Sequence, residues 1–291
     1  MHRITAFLNL LRFHQYIKNF FIFLPLFFFG KFFDIDLLLK SFIAFLAFSF
    51  AASSVYILND YLDIDLDKLH PKKKMRPLAS GLVSKKVAFV AMGSLFFIAI
   101  ALMGILSLNA CIVLIAYVLM NIGYCFYLKH IPIVDISIIA IGFVLRLFVG
   151  SIVTAVALSH WIVIMTFLLA LFLAIAKRRS DVVLFIETGV KMRKVVEGYN
   201  LQFIDMSMTI MASVVIVSYI LYATSNQVIE REQSDYLPLT SLFVLLGILR
   251  YLQISIVDQN SDSPTRIMLR DRFVIFTLLG WVFTFLFLIY L

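Results

Sequence analysis

Four aspartates and one asparagine lie close together at residues 59–67, directly after a long apolar run. Acids at a membrane edge cost free energy unless they bind something, so by default they indicate a functional site. A helix advances about 100° per residue. This rotation turns Asp65 away and places the other four side chains within one arc of about 100°: Asn59, Asp60, Asp63 and Asp67. Several oxygen ligands on one face suit a hard divalent cation, and Mg²⁺ usually reaches a protein through one or two carboxylates plus substrate phosphates.

A dense basic segment follows the acids, with Lys72, Lys73, Lys74 and Arg76 within ten residues of Asp67. These cations are close enough in sequence to hold the phosphate end of the same ligand. The alternative is a solvated cytoplasmic loop whose opposite charges cancel. Random loop charge seldom collects acids on one helical face, which favours the functional interpretation.

A second polar region begins at residue 176 and contains Lys177, Arg178, Arg179 and Asp181. Basic residues at the end of a span are explained by membrane orientation alone. That explanation does not cover Asp181, which lies one helical turn from Lys177 and Arg178. This carboxylate could act as a metal ligand or could orient the basic pair.

Three polar residues, Gln15, Lys18 and Asn19, lie at the entry of the first apolar segment. Anchoring at the membrane interface explains a lysine there, but it does not explain two amides one helical turn apart. We therefore predict that Gln15 and Asn19 face a ligand. The later half of the loop after residue 176 contains Tyr199, and we predict that this part of the loop covers the site.

Arg146 lies about two turns inside an apolar segment, where an unpaired charge is expensive. It should face the bundle interior and meet an acid or a phosphate; an ion pair with Asp135, three turns earlier, is the structural alternative. Lys129 precedes this segment and is either a ligand of the site or an orientation signal.

The composition indicates a polytopic membrane protein. The chain has 291 residues, of which 63% are hydrophobic and 14% are charged. A soluble domain is roughly half apolar and a quarter charged. Spans need about 20 apolar residues, or a few fewer when the helix is short or buried. The sequence predicts an all-α fold with nine spans: 17–33, 41–58, 87–107, 109–128, 133–155, 160–176, 205–224, 236–257 and 272–291.

Charge predicts the orientation of the nine spans. Lys and Arg collect in the connections after even-numbered spans, and such loops face the cytoplasm. We therefore expect a cytoplasmic N-terminus and one transmembrane domain, 1–291, with cytoplasmic polar loops at about 59–86 and 177–204. The net charge of +8 reflects this bias and does not indicate nucleic-acid binding. Cys111 and Cys125 lie in apolar segments and are expected to be packing residues.

The pattern Asn59-Asp60-x-x-Asp63-x-x-x-Asp67 after the second predicted span resembles the first acidic motif of the UbiA superfamily of intramembrane prenyltransferases. Further motifs are similar to its decaprenyl-phosphate phosphoribosyltransferase branch: Asp67-x-x-His70-Pro71-x-Lys73-x-x-Arg76-Pro77, Arg12-x-x-Gln15-x-x-Lys18-Asn19, Lys129-His130-x-Pro132-x-x-Asp135, Gly142-Phe143-x-x-Arg146, Lys177-Arg178-x-x-Asp181, Arg193…Tyr199 and Arg250-Tyr251…Asp271-Arg272. The resemblance covers essentially the whole chain, in order. We expect Arg250, Tyr251, Asp271 and Arg272 to be structural.

The resemblance implies nine helices around a central cavity that opens to the cytoplasm and sideways to lipid, in the plasma (bacterial inner) membrane. It implies Mg²⁺-dependent transfer of a 5-phosphoribosyl group from phosphoribosyl pyrophosphate to a polyprenyl phosphate. Pyrophosphate leaves, and in-line attack inverts C1.

The implied roles divide the polar residues into three sets. The metal ligands are Asn59, Asp60, Asp63 and Asp67, with Asp181 as a further candidate where this branch usually has Glu. The catalytic set is Asp60, Asp63, Lys73, Arg76, Lys177 and Arg178. The substrate-binding set is Gln15, Lys18, Asn19, Asn59, Lys129, Arg146 and Tyr199.

Two other functions remain open at this point. Prenyl transfer from a polyprenyl diphosphate to an aromatic acceptor would use the same metal site. Such enzymes typically carry a second aspartate-rich motif, and only one carboxylate stands in the Lys177–Asp181 segment. An anion transporter would also need intramembrane charge. However, the polar residues crowd one membrane face and not the midplane.

Overall fold

The computed structural model describes residues 3–69, 73–189, 194–232, 234–258, 267 and 270–290, and within these residues all regular structure is helical. The α-helices, in chain order, are α1 (Arg3–Leu11), α2 (Leu24–Phe28), α3 (Ile35–Leu62), α4 (Ile64–Leu69), α5 (Lys85–Leu106), α6 (Leu108–Phe126), α7 (Val134–Thr154), α8 (His160–Thr188), α9 (Leu201–Ala223), α10 (Asn226–Glu232), α11 (Ser241–Ile256) and α12 (Arg272–Tyr290). Short 3₁₀ helices cover Phe13–Phe23, Lys73–Met75, Leu128–His130, Lys194–Gly198 and Leu237–Thr240.

Eight helical segments in the described part of the chain are long and apolar enough to cross a membrane. They are Ile35–Leu62, Lys85–Leu106, Leu108–Phe126, Val134–Thr154, His160–Glu187, Leu201–Ala223, Leu237–Ile256 and Arg272–Tyr290. These correspond to the second to ninth predicted spans. The prediction of an all-helical membrane protein is therefore confirmed, whereas nine spans and the cytoplasmic N-terminus stay predictions.

The first predicted span, 17–33, is not one long α-helix. The chain forms a 3₁₀ helix over Phe13–Phe23 and only a short α-helix over Leu24–Phe28. A Cβ on Gly150 would lie 2.1 Å from the carbonyl oxygen of Ile22. The backbone of this segment thus packs directly against α7, which apolar periodicity does not reveal.

Polar side chains define several helix ends. The hydroxyl of Ser107 accepts a hydrogen bond from the Ala110 N–H and so caps the start of α6. The same residue follows the last residue of α5, which agrees with the predicted span bounds of 87–107 and 109–128. The Asn200 side chain caps α9 by accepting from the Phe203 N–H at 2.7 Å. Gly189, at φ 68°, ends α8. The sequence placed the end of the sixth span at residue 176 and a loop after it. In the structure α8 continues to Thr188, so the Lys177–Asp181 segment is helical and does not belong to a loop.

The chain divides into two compact units, described separately. Unit 1 comprises 1–129 and 141–158. Its most enclosed span is α3, in which 61% of an apolar stretch of 18 residues is buried. Small side chains such as Ala44, Ala47 and Ala51 allow neighbouring helices to approach it closely. This helix is therefore the element that positions the acids at its carboxyl end.

Unit 2 comprises 130–140 and 159–291, and it includes the first residues of α7. Its core contains Phe172 and Ile175 of α8, Ile204 and Met208 of α9, and Tyr251 of α11. Packing against this core fixes the rotation of α8, which carries the second polar region.

Candidate functional site

The acids of the first motif lie where α3 ends and α4 begins. The Asp63 N–H donates to the Asn59 carbonyl at 3.0 Å, and the Asp67 N–H donates to the Asp63 carbonyl at 2.8 Å, so helical hydrogen bonding continues across the junction. Asp60 and Asp67 are buried, whereas the Asp65 side chain is 96% exposed. The helical rotation used in the sequence analysis therefore separated the paired acids from Asp65 correctly. We call Asn59, Asp60, Asp63 and Asp67 the acidic cluster.

Among the residues that the structure describes, three cations of unit 1 bind the acidic cluster. Arg12 donates from Nη2 to Asp60 Oδ1. Arg76 donates from Nη1 to Asp60 Oδ1 at 3.0 Å and to Asp67 Oδ2 at 2.7 Å. Lys129 donates from Nζ to Asp63 Oδ1 at 2.8 Å, while Asn59 Nδ2 donates to Asp63 Oδ2 at 3.0 Å. Each aspartate of the cluster is therefore paired with a cation.

Arg12 occupies a strained backbone position beside the cluster. Its φ of 53° is left-handed, which costs roughly 1–2 kcal/mol for a residue with a Cβ. Its guanidinium also lies over the Tyr56 ring, 5.1 Å from the centroid. Strain of this kind persists where surrounding contacts over-determine the backbone, and it is common at functional sites. Arg12 stands outside the predicted site set, although its motif with Gln15 is visible in the sequence.

The donor set of the acidic cluster fits a hard cation in its chemistry, since three carboxylates and one amide supply only oxygen ligands to a metal. In the described residues, no three Asp, Glu, His or Cys side chains converge on a point that a metal ion could occupy. The bridging position between Asp60 and Asp67 is taken by one nitrogen atom, Arg76 Nη1. A divalent cation that used both carboxylates would have to replace it there.

A second charged network lies in unit 2 around Arg178, which is 2% exposed. Its Nε donates to Asp135 Oδ2 at 2.5 Å, and its Nη1 donates to Asp181 Oδ2 at 2.7 Å. Asp135 itself is fully buried. A buried ion pair of this kind is strongly destabilised when one partner is removed, because the other charge is left uncompensated. The adjacent Lys177 is exposed.

Tyr199 completes this network. Its hydroxyl donates to Asp135 Oδ1 at 2.7 Å and accepts the Ile133 N–H at 2.6 Å. Ile133 has a φ of 69°, which is unusual for a β-branched residue, so the accepted bond stabilises a strained corner. Burial raises the pKa of Tyr199, and its hydrogen bond to Asp135 raises it further. The phenol therefore stays protonated and remains the donor to Asp135 at neutral pH.

Arg146 is buried in unit 1, and its hydrogen-bond partners are neutral groups. Its guanidinium donates to Asn19 Oδ1 at 2.7 Å, to the Gly142 carbonyl at 2.6 Å and to the Tyr117 hydroxyl at 3.1 Å. It also lies 4.8 Å from the Phe48 ring centroid. The alternative of an ion pair with Asp135 is wrong, because Asp135 pairs with Arg178.

Arg146 is also distant from the acidic cluster. Phe48, on which it stacks, precedes Asp60 by twelve residues of α3, or about 18 Å at 1.5 Å per residue. Asn19, which accepts from Arg146, also donates to Ser49 of α3 at 2.8 Å. Arg146 and Asn19 thus join the 3₁₀ segment to α3, α6 and α7, several turns from the acids.

The other predicted residues have varied surroundings. Gln15 and Lys18 are partly exposed on the 3₁₀ helix, and Lys73 begins the 3₁₀ turn that leads to Arg76. Arg179 donates to Asp205 and to the Ser255 carbonyl, which is a structural role. His70, Pro71, Lys72 and Arg193, which belong to the quoted motifs or basic segments, lie outside the described residues.

Arg250 and Asp271, both expected to be structural, form an ion pair, in which Arg250 Nη2 lies 2.8 Å from Asp271 Oδ2. The hydrogen bond from Arg250 lowers the pKa of Asp271. Asp271 Oδ1 also accepts from the Val274 N–H, so it caps the start of α12.

Comparison with known proteins identifies the family. The model of the UbiA prenyltransferase family matches residues 20–278. The chain belongs to the UbiA prenyltransferase family. The prediction of a UbiA-type transferase is thereby confirmed at the level of the family, and membership counts against the transporter alternative.

Relatives within the UbiA family cover most of the chain. Decaprenyl-phosphate phosphoribosyltransferase of Mycolicibacterium smegmatis is 31% identical over 255 residues, which is 86% of this chain and 80% of that protein. The protein of the same name from Corynebacterium glutamicum is 29% identical over 86% of this chain and 75% of its own length. The structure of a UbiA homolog from Archaeoglobus fulgidus bound to GPP and Mg²⁺ has a TM-score of 0.70 and 18% identity, covering 98% of this chain and 100% of that one. At that identity, it supports the shared fold alone.

Proposed function

We propose that this UbiA-family protein transfers a 5-phosphoribosyl group from phosphoribosyl pyrophosphate to a polyprenyl phosphate. The observation that carries the proposal is the similarity, over 86% of the chain, to proteins named decaprenyl-phosphate phosphoribosyltransferase. The acidic cluster with its interleaved cations suits this chemistry, because a leaving pyrophosphate carries negative charge that must be neutralised.

The residues of unit 1 would act on the leaving group. Oxygen atoms of Asn59, Asp60, Asp63 and Asp67 would hold Mg²⁺. The metal would supply electrostatic stabilisation of the charge that grows on pyrophosphate as the C1–O bond breaks. Arg76 binds Asp67 and Lys129 binds Asp63, so both cations lie beside the acidic cluster. They would donate hydrogen bonds to pyrophosphate oxygens. Lys73, three residues before Arg76, would hold the same group.

An oxygen of the acceptor phosphate would form the new bond to C1, and the pyrophosphate would leave with the electron pair of the broken C1–O bond. The acceptor is already an anion, so the reaction needs no strong general base. In-line attack predicts inversion at C1. Correct placement of the two reactants then supplies much of the rate enhancement.

For unit 2 we propose that exposed Lys177 contacts a substrate phosphate and that Arg178 orients the helix turn that carries it. Arg178 is buried and pairs with two carboxylates, so we assign it to positioning Lys177 and not to direct contact with the substrate. Asp181 would orient the Arg178 guanidinium, with which it pairs at 2.7 Å.

Arg146 we assign to the junction of the 3₁₀ segment with α3, α6 and α7, because its contacts are neutral and distant from Asp60. The acceptor phosphate would instead use cations near the acidic cluster. We further propose that the protein lies in the bacterial inner membrane and that the acidic cluster faces the cytoplasm, as the Lys and Arg distribution predicts.

Lipid extraction tests the reaction. Membranes that contain the protein are incubated with Mg²⁺, phosphoribosyl pyrophosphate labelled in the ribose and polyprenyl phosphate, and we expect the label in the organic phase. A parallel incubation with labelled polyprenyl diphosphate and an aromatic acid tests prenyl transfer. Label that stays in the aqueous phase, alongside an active control enzyme, would exclude the proposed reaction.

Asp63→Asn should lower the transfer rate by at least about 100-fold, because it removes a charged ligand that acts on the leaving group. Asp65→Asn makes the same chemical change two residues away on an exposed side chain, and it should retain the wild-type rate. Equal rates in the two variants would exclude the metal role of Asp63.

A further inference from the structure

A single cationic atom bridges two acids of the first motif. Arg76 Nη1 lies 3.0 Å from Asp60 Oδ1 and 2.7 Å from Asp67 Oδ2. Both carboxylates are nearly enclosed, with side-chain exposures of 2% and 4%. Two buried carboxylate oxygens converging on one positive centre form the arrangement that a bridging divalent cation needs. The guanidinium therefore competes with such a cation for the same oxygen atoms.

Within the ion pairs that the structure describes, the charges of the acidic cluster and its partners balance. Asp60, Asp63 and Asp67 carry three negative charges, and Arg12, Arg76 and Lys129 carry three positive ones. A divalent cation added alone would leave two uncompensated positive charges in a largely enclosed place, where charge interactions are only weakly screened. Pyrophosphate added alone would face three carboxylates. Either ligand is opposed by charge when the other is missing.

We infer that Arg76 and Lys129 exchange partners when ligands bind, so that the metal ion and pyrophosphate bind cooperatively. The carboxylates of the acidic cluster would hold the metal ion, and the two side chains would move their hydrogen bonds from the carboxylates to pyrophosphate oxygens. Arg12 stays with Asp60, because its left-handed backbone and its contact with the Tyr56 ring hold it there. This inference rests on the proposed function and describes how the same site is filled.

Partner exchange has a signature that a purely structural ion pair lacks. Arg76→Gln removes the cation that bridges Asp60 and Asp67, and it also removes a ligand of pyrophosphate. Affinity for the metal ion alone should therefore rise, while affinity for pyrophosphate in the presence of the metal should fall. Hydrogen bonds to charged groups are worth about 1.5–3 kcal/mol, which corresponds to changes of about 10-fold to 100-fold in Kd. If Arg76 only maintained the fold, its replacement would weaken the binding of both the metal ion and pyrophosphate.

The experiment uses the full-length protein in detergent micelles or nanodiscs. Binding of Mn²⁺ alone is measured from the loss of the free-ion electron paramagnetic resonance signal. Binding of radiolabelled pyrophosphate is measured by equilibrium dialysis, once with EDTA and once with saturating Mg²⁺. Arg76→Gln and Lys129→Gln are compared with the wild type. Lys68→Gln serves as the matched control, since Lys68 pairs at 3.3 Å with exposed Asp65 in the same short helix as Asp67.

We expect wild-type protein to bind pyrophosphate at least about tenfold more tightly with Mg²⁺ than with EDTA. Both site variants should bind Mn²⁺ alone more tightly than the wild type, and Lys68→Gln should match the wild type. If either site variant fails to fold, the other carries the test. Equal pyrophosphate affinity with and without Mg²⁺, or Mn²⁺ binding that is no tighter than in the wild type in the site variants that fold, would overturn the inference.

These outcomes are separable from those of the proposed function. Label transfer to lipid, together with independent binding of metal and pyrophosphate, would leave the reaction standing and remove partner exchange. Cooperative binding without transfer to lipid would retain the exchange and remove the phosphoribosyl assignment.

Discussion

Tyr199→Phe provides a direct test of the network around Asp135. The substitution keeps the ring and removes the hydroxyl that joins the Ile133 N–H to Asp135. Leaving a buried polar group unpaired costs about 1–3 kcal/mol, and a hydrogen bond to a charged group is worth about 1.5–3 kcal/mol. The combined loss should be about 2.5–6 kcal/mol, which lowers the midpoint of thermal unfolding by at least about 5 °C.

The assay is thermal unfolding in detergent, followed by intrinsic fluorescence, alongside the KM for phosphoribosyl pyrophosphate. Tyr236→Phe is the matched control, because this tyrosine belongs to the same unit and its side chain is exposed. A substrate ligand would behave differently: removal of its hydroxyl would raise the KM and leave the unfolding midpoint unchanged. That combination of results would refute the positioning role argued for Tyr199.

The pH dependence has a defined sign. The folded-state pKa of Tyr199 is raised above the usual tyrosine value of about 10. Its contribution to stability is therefore fully present below that value and is lost as the pH rises through the raised pKa. The difference in unfolding midpoint between wild type and Tyr199→Phe should be constant from pH 6 to 8, within about 1 °C.

Three further predictions concern other parts of the molecule. Asp135→Asn should destabilise the protein by about 3 kcal/mol, the low end for a broken buried ion pair, because Arg178 loses its fully buried partner and keeps only the partly exposed Asp181. Asp135→Asn combined with Arg178→Met should recover part of this loss in thermal unfolding, and a double variant less stable than the single one would contradict the pairing. Gly150→Ala should lower the unfolding midpoint, since the new Cβ would lie 2.1 Å from the Ile22 carbonyl oxygen, whereas Gly93→Ala, where nothing lies within 4 Å of that position, should not. EDTA should abolish label transfer to lipid and excess Mg²⁺ should restore it; transfer that survives EDTA would exclude the metal from the reaction.

Local pattern was sufficient to predict much of this fold. Eight apolar segments match eight long helices, because a span of about 20 apolar residues is a property of the segment itself. The rotation of about 100° per residue likewise placed the paired acids on one side of α3 and α4, with Asp65 exposed. The resemblance to the UbiA superfamily also came from short motifs in a fixed order, and the family match over residues 20–278 confirms it.

The partners of the charged groups were decided by tertiary structure alone. Asp60 is bound by Arg12, 48 residues away, and Asp63 is bound by Lys129, 66 residues away. Asp135 pairs with Arg178 across 43 residues, and not with Arg146 on its own helix. Helical periodicity relates only residues three or four apart, so it cannot tell which distant cation packing will bring to a carboxylate.

The close approach of Gly150 to the Ile22 backbone was likewise decided by packing, because it joins segments far apart in the sequence. The residue types and their order therefore determined that this protein is a helical membrane enzyme with acids at the end of α3. The rotation and close contact of packed helices decided which charges meet, because these depend on the shapes of two surfaces and not on either segment alone.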